Sequence, residues 1–192
     1  FTPGAKRILR ASTSLAPYPL NAAPIWRPMR SRKRVPGPIT RWYPAPSGQA
    51  MPAAGLLTSR APDQREARDI ELGLEVAKMT SGLDIGQTVV VKEGTILAVE
   101  AFEGTDRAIR RAGKLGGSGG VAVKVAKCGH DMRFDIPVIG MRSIKTFKKA
   151  HIYAVAVEAG RTILLEREKI VAAANELNIA IVAVERLQDR AE

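Results

Sequence analysis

Between Phe1 and Arg60 the chain carries ten Lys and Arg residues and not one Asp or Glu, and all but one of its twelve prolines fall at or before Pro62. A stretch of this kind buries too little apolar surface to offset chain entropy, and its prolines remove backbone donors and block helix and sheet alike. Foldable sequence therefore begins between about Gln49 and Pro62. Residues 1–53 read as a disordered Arg/Pro-rich arm or a spurious N-terminus, and residues 54–192 as one domain. The formal net charge of +11 belongs almost wholly to the arm, leaving +1 for everything after Arg60.

Two functional readings of the arm compete with simple disorder. Arg- and Ser-rich, acid-poor segments resemble organelle transit peptides, and Ala5 to Ala16 has the composition of a short basic helix that Pro17 would stop. The cluster Arg32, Lys33 and Arg34, with Trp26, Trp42 and Tyr43 nearby in sequence, has the chemistry of a nucleic-acid tether. Such short basic clusters also arise by chance, and the near-neutral remainder speaks against a nucleic-acid protein as a whole. Phe1 in the place of a Met reads as a fragment or a partial reading frame.

The remaining composition narrows the class further. Cys128 is the only cysteine, so an intrachain disulfide and a cysteine-rich zinc site are both excluded, and a reducing, cytoplasmic setting fits. No apolar run approaches the roughly 20 residues needed to span a bilayer, which leaves at most peripheral contact with a membrane.

After Pro62 the periodicity becomes regular. Asp63 and Glu66 stand at the reciprocal spacing of a capping box, and Ala67, Ile70, Leu74 and Ala77 recur at helical spacing, predicting a helix over about 63–79 that Ser81-Gly82 ends. The β-branched runs 87–92 and 95–100 flank Glu93-Gly94, the length and chemistry of a two-residue hairpin turn. A short basic helix over 106–114, a glycine loop over 116–120 and a strand over 121–126 follow. In that strand Val121, Val123 and Val125 share one face, so Lys124 points away from the valine layer. After a short segment at 136–139, further strands are predicted at 152–157, 162–165 and 179–184, with helices at 142–149 and 167–177. The fold class is α/β, with a mixed sheet containing a hairpin and flanked by short helices.

Polar residues concentrate at three strand ends. Glu100, Glu103 and Asp106 follow one strand, Lys124 and Lys127 lie on or after the next, and His130, Asp131, Arg133 and Asp135 fill the loop beyond it. In α/β sheets ligands bind in crevices at the carboxyl ends of strands, so these loops can converge on one cleft. Acids beside bases suit a phosphate ester and a divalent metal, since phosphoryl chemistry needs positioning and charge neutralisation more than covalent work. A salt-bridged turn at 131–135 beside a solvated edge lysine would leave the same pattern. Gly113-Lys114 ahead of the glycines is not a phosphate loop, because no Ser or Thr follows the lysine and the run precedes a strand.

From Ala54 the sequence resembles the LpxI-type UDP-2,3-diacylglucosamine pyrophosphatases, over their C-terminal domain and to about Glu185. The resemblance is carried by Leu83-Asp84-Ile85-Gly86-Gln87 running into Thr88-Val89-Val90-Val91, by Glu103-Gly104-Thr105-Asp106, by Val123-Lys124, by Asp131-Met132-Arg133-Phe134-Asp135-Ile136-Pro137 and by Ala156-Val157-Glu158-Ala159-Gly160. It implies Mg²⁺-dependent hydrolysis of UDP-2,3-diacylglucosamine at the α-phosphorus, giving UMP and 2,3-diacylglucosamine 1-phosphate in lipid A synthesis. Mapped onto the matching positions, Asp131 and Asp135 become metal- or water-orienting acids and Lys124 and Arg133 phosphate clamps. Glu103, Asp106, Lys127 and Glu158 become supporting substrate contacts.

The partners implied are the UDP-linked lipid and, peripherally, the inner membrane, with no specific nucleic acid and with room for a homo-oligomer. Nothing in 1–53 resembles the N-terminal domain that members of the family carry, so incomplete activity is expected of this chain by itself. A nucleotide-sugar or partner-binding module without turnover is the alternative.

Overall fold

The structure, a computed structural model, describes residues 50–127 and 136–185. All of them lie in one compact unit, Arg34–Glu192. Its main sheet has six strands. These are β1 (Gly55–Leu56), β2 (Thr88–Lys92), β3 (Thr95–Val99), β4 (Gly120–Lys124), then, after a short β5 (Val138–Ile139), β6 (Ile152–Glu158) and, after a short β7 (Ile163–Leu164), β8 (Ala180–Val184). Their spatial order is β1-β8-β6-β4-β2-β3. The β4, β6 and β8 strands are mutually parallel, while β2 runs antiparallel to both β4 and β3, and β1 antiparallel to β8. The sheet is therefore mixed, as the hairpin signal predicts.

Four helices cover the sheet: α1 (Gln64–Gly82), α2 (Thr105–Gly116), α3 (Met141–Lys149) and α4 (Arg167–Glu176). The alternation of β4 decides which face each takes. Val121, Val123 and Val125 join Val89, Val91, Ala154, Ala156 and Val182 under α1, which contributes Ile70, Leu74 and Ala77. Ala122 lies in the opposite layer, with Val90, Val155, Val157 and Ile181, beneath Ile109 of α2, Ile144 and Phe147 of α3 and Ile170 of α4. Strands apolar on both faces are what a helix-covered sheet requires. On the α1 side the two layers approach closely at Gly73, where an added Cβ would stand 2.5 Å from Val123 Cγ2.

The capping box forms as the spacing predicts: Glu66 N–H donates to Asp63 Oδ1 at 2.7 Å, and Asp63 N–H to Glu66 Oε2 at 2.9 Å. The hairpin forms too, with both turn residues left-handed, Glu93 at φ 50° and Gly94 at φ 74°. Glycine takes that conformation freely and glutamate does so at a cost. Buried Asp69 of α1 supplies compensation, accepting the Glu93 N–H at 2.8 Å and the Gly94 N–H at 2.7 Å.

Three details depart from the sequence reading. The 136–139 and 162–165 segments do not extend the main sheet; β5 and β7 pair with each other in parallel as a separate two-stranded ribbon. The glycine loop is shorter than expected, because α2 continues through Gly116 and β4 starts at Gly120. The edge strand β1 was not foreseen, since Gly55-Leu56 is too short to show a period. It is held in place by Leu57 N–H to Ile181 O at 2.9 Å, Ile181 N–H to Thr58 Oγ1 at 2.9 Å and, beside it, Gly160 N–H to Pro52 O at 2.8 Å.

Candidate functional site

Strand direction places the polar cluster. The carboxyl ends of β4, β6 and β8 lie along one edge of the sheet, where Lys124 pairs with Val157 and Glu158 with Val184. Because β2 is antiparallel it begins at that edge, Thr88 opposite Lys124, and β3 ends there, with Glu100 N–H donating to Thr88 O at 2.8 Å. The strand-end convergence expected of Glu100 and Lys124 is thus a property of the topology.

The centre of the edge is a short hydrogen-bonded chain. Lys124 Nζ donates to Thr105 Oγ1 at 2.9 Å and, more loosely, to Thr88 Oγ1 at 3.4 Å. The Thr105 hydroxyl in turn donates to Glu100 Oε1 at 2.8 Å. A partly buried ammonium on a β-strand, steered by two hydroxyls, is a rigidly placed positive charge. Thr105 is also the first residue of α2, after Gly104, which caps the helix without a side chain. The first amides of α2 therefore add positive potential beside Lys124.

An open cavity of about 630 Å³ begins at Thr105 and is bounded by Gly104, Asp106, Arg107, Arg110 and Arg142. That volume lies in the range of small-ligand clefts. Its acids are engaged. Asp106 takes Arg142 Nε at 2.7 Å and the Thr146 hydroxyl at 3.2 Å, and Glu103 takes Arg111 at 2.6 Å. The Arg111 guanidinium hydrogen-bonded to Glu103 holds its carboxyl below the usual value of 4.5.

The other anticipated contacts separate. Lys127 is drawn to Asp84, in the turn after α1, at 2.6 Å. Glu158 is buried, with Oε1 2.5 Å from Lys78 Nζ of α1 and Oε2 accepting the Ala126 N–H at 2.7 Å. Lys78 Nζ also donates to Ala126 O at 3.1 Å, so the ion pair grips both backbone polar groups of that residue just beyond β4. Asp131, Arg133 and Asp135 lie outside the described residues.

Sequence reasoning missed Thr88, Thr105 and Lys78. The two threonines had a readable signal, one at the start of a strand and one at the start of a helix after glycine. Lys78 looked like any solvent-facing helical lysine. Among the described residues no three His, Cys, Asp or Glu side chains gather closely enough to hold a metal. Two buried carboxylate oxygens, Glu158 Oε1 and Glu100 Oε2, have no hydrogen-bond partner among them, and of the two Glu158 Oε1 is ion-paired with Lys78. An orphaned carboxylate oxygen is the ligand type that a hard divalent cation takes.

The family described as LpxI C-terminal domain matches residues 53–182. The UDP-2,3-diacylglucosamine pyrophosphatase LpxI of Caulobacter vibrioides is 37% identical over 139 residues, covering 68% of this chain and 50% of its own length. The chain thus spans about half the length of that curated relative. Among solved structures, the dCMP deaminase of cyanophage S-TIM5 aligns at a TM-score of 0.35 with 15% identity, over 60% of this chain and 94% of that one. RibD of Acinetobacter baumannii aligns at 0.35 with 18% identity, over 67% of this chain and 37% of that one. At such scores neither likeness carries an argument.

Proposed function

This chain belongs to the LpxI C-terminal domain family, and from that premise we propose that its strand-end edge is the phosphate-handling part of a UDP-2,3-diacylglucosamine pyrophosphatase. The observation that supports this most is the Lys124 ammonium at the carboxyl end of β4, steered by Thr88 and by Thr105, which itself lines the α2 cavity. A diphosphate needs a fixed positive charge there, because neutralising the phosphoryl oxygens is most of what catalysis of anhydride cleavage requires.

In this reading Lys124 and Arg133 would clamp the diphosphate, and Asp131 and Asp135 would hold Mg²⁺ or orient the attacking water. The residues suit that ion in kind, since both aspartates are hard oxygen donors and Glu100 Oε2 is a third. When bound, Mg²⁺ would withdraw charge from the phosphoryl oxygens. The water oxygen joins the α-phosphorus as its bond to the bridging oxygen breaks. UMP and 2,3-diacylglucosamine 1-phosphate leave, and one proton goes to solvent or to an aspartate. Glu158, gripping Ala126, and Asp106, tying α2 to α3, support the site from behind.

The same cleft could bind a nucleotide sugar without turnover, a reading favoured by how many of its acids are already claimed by protein cations. UMP release with Mg²⁺, from this chain and from this chain joined to the amino-terminal half of the Caulobacter relative, separates the two. The joined protein is expected to release UMP, and Asp131→Asn or Asp135→Asn to lower the rate at least about 100-fold without altering the melting profile. Near-normal rates in both variants would show that the loop is structural and move the chemistry to Glu100, Glu103 and Asp106.

A further inference from the structure

We propose that the outer face of helices α2 and α3 is a docking surface for an anionic lipid bilayer. This rests on surface charge and stands whether or not the hydrolase reading holds.

The two helices lie side by side on one face of the sheet. Asp106 joins them near their N-termini through Arg142 and Thr146, and Gly113 of α2 approaches Ala150 just past the end of α3. Their apolar sides, Ala108, Ile109 and Ala112 on α2 and Ile144 and Phe147 on α3, are buried against the core. What they turn outward is almost wholly cationic. Arg107, Lys114, Lys145, Lys148 and Lys149 are all exposed. Among the described residues, no carboxylate forms an ion pair with any of the five. The acids that border this face, Glu103 and Asp106, are already held by Arg111, Arg110 and Arg142.

Charge on the folded part is therefore segregated. The residues after Arg60 sum to only +1, so a face this basic leaves the remainder of that part net negative. One-sided charge of this kind orients a protein in the field of a polyanionic surface. A bilayer suits the face better than a nucleic acid because apolar side chains are set among the cations. Leu115 is 67% exposed beside Arg111 and Lys114, and Phe102, just ahead of α2, is fully exposed. Lysine stems with charged tips, interrupted by single apolar side chains, match a headgroup layer above acyl chains. No helix among the described residues is long and apolar enough to cross a membrane, so the contact is made from outside.

Flotation of the full chain with vesicles tests this. Neutral phosphatidylcholine vesicles are compared with vesicles in which about a third of the lipid is phosphatidylglycerol, at low and at high salt, the second suppressing a screened interaction. Wild type should bind only the anionic vesicles and release them at high salt. Lys145→Glu/Lys148→Glu/Lys149→Glu should lower the bound fraction at least tenfold at low salt although the basic arm is unchanged, and Arg107→Glu/Lys114→Glu should act alike. The milder Lys145→Gln/Lys148→Gln/Lys149→Gln variant keeps the test decisive if charge reversal impairs folding. Wild-type flotation by the variants would assign the binding to the arm and overturn the proposal. So would a failure of wild type to bind anionic vesicles, or a loss of duplex-oligonucleotide binding in the variants with vesicle binding intact.

Discussion

Single side chains in this domain do two kinds of work, and the structure separates them where the sequence could not. Lys124 and Glu158 both follow apolar strand residues and both read as polar groups facing a cleft. Lys124 donates to Thr105, which lines the α2 cavity, whereas Glu158 is buried and taken up by Lys78 and the Ala126 amide. Removing one member of a buried pair leaves the other charge without compensation. Lys78→Met is therefore expected to lower stability by about 3 kcal/mol in urea unfolding, more than any exposed lysine of α3 replaced in the same way. Glu103 is a different case, a half-buried carboxylate whose titration reports its partner. Arg111 lowers its folded-state value, so the contribution of this pair to stability is present above the ordinary carboxylate value of 4.5 and is lost as pH falls through the lower folded one. In Arg111→Ala the Glu103 titration followed by NMR should move upward. An unchanged midpoint would mean that the ion pair does not persist in solution.

At the scale of elements, what was legible was whatever repeats locally. The capping box at Asp63 and Glu66, the period of α1, the alternation of β4 and the Glu93-Gly94 turn each announce themselves within a few residues, and each formed. What depends on distant partners was not legible. A two-residue strand such as β1 exists because β8 offers it an edge, and the β5 and β7 segments pair with each other because both lie outside the main sheet. Asp69 was likewise hidden. In sequence it is one acid on a helix, and only the packing of α1 on the hairpin brings it to the Glu93 and Gly94 amides. Asp69→Ala should cost about 1–3 kcal/mol, since it removes two hydrogen bonds to a buried carboxylate and leaves a left-handed glutamate unsupported. Gly73→Ala should cost about 1–3 kcal/mol by overpacking α1 on Val123. Chemical denaturation ranks both against Asp63→Ala, which removes one cap and should cost about 1 kcal/mol.

At the scale of the whole molecule, charge and function are divided along the chain. The basic arm holds nearly all of the net charge, and the folded part carries a row of exposed cations on α2 and α3 and the proposed phosphate site at the sheet edge. The chain is already joined to the domain by Ala50 and Pro52, whose carbonyls accept from Leu164 and Gly160. A chain starting at Ala50 should therefore melt with the full-length protein, whereas one starting at Asp63 loses β1, Thr58 and the Arg60–Glu66 pair and should melt several degrees lower. Equal melting of the two would show that β1 contributes little. The site was legible only as a set of residues. That Lys124, Thr105, Thr88 and Glu100 form one hydrogen-bonded chain follows from β2 running antiparallel to β4, which no local signal encodes. That chain is the centre of the functional account, and calorimetric binding of UDP-2,3-diacylglucosamine, in protein joined to the relative's amino-terminal half, tests it most directly. Lys124→Ala is predicted to weaken binding by about 1.5–3 kcal/mol, the worth of a charge-assisted contact to phosphate. Unchanged affinity in that variant would contradict the account.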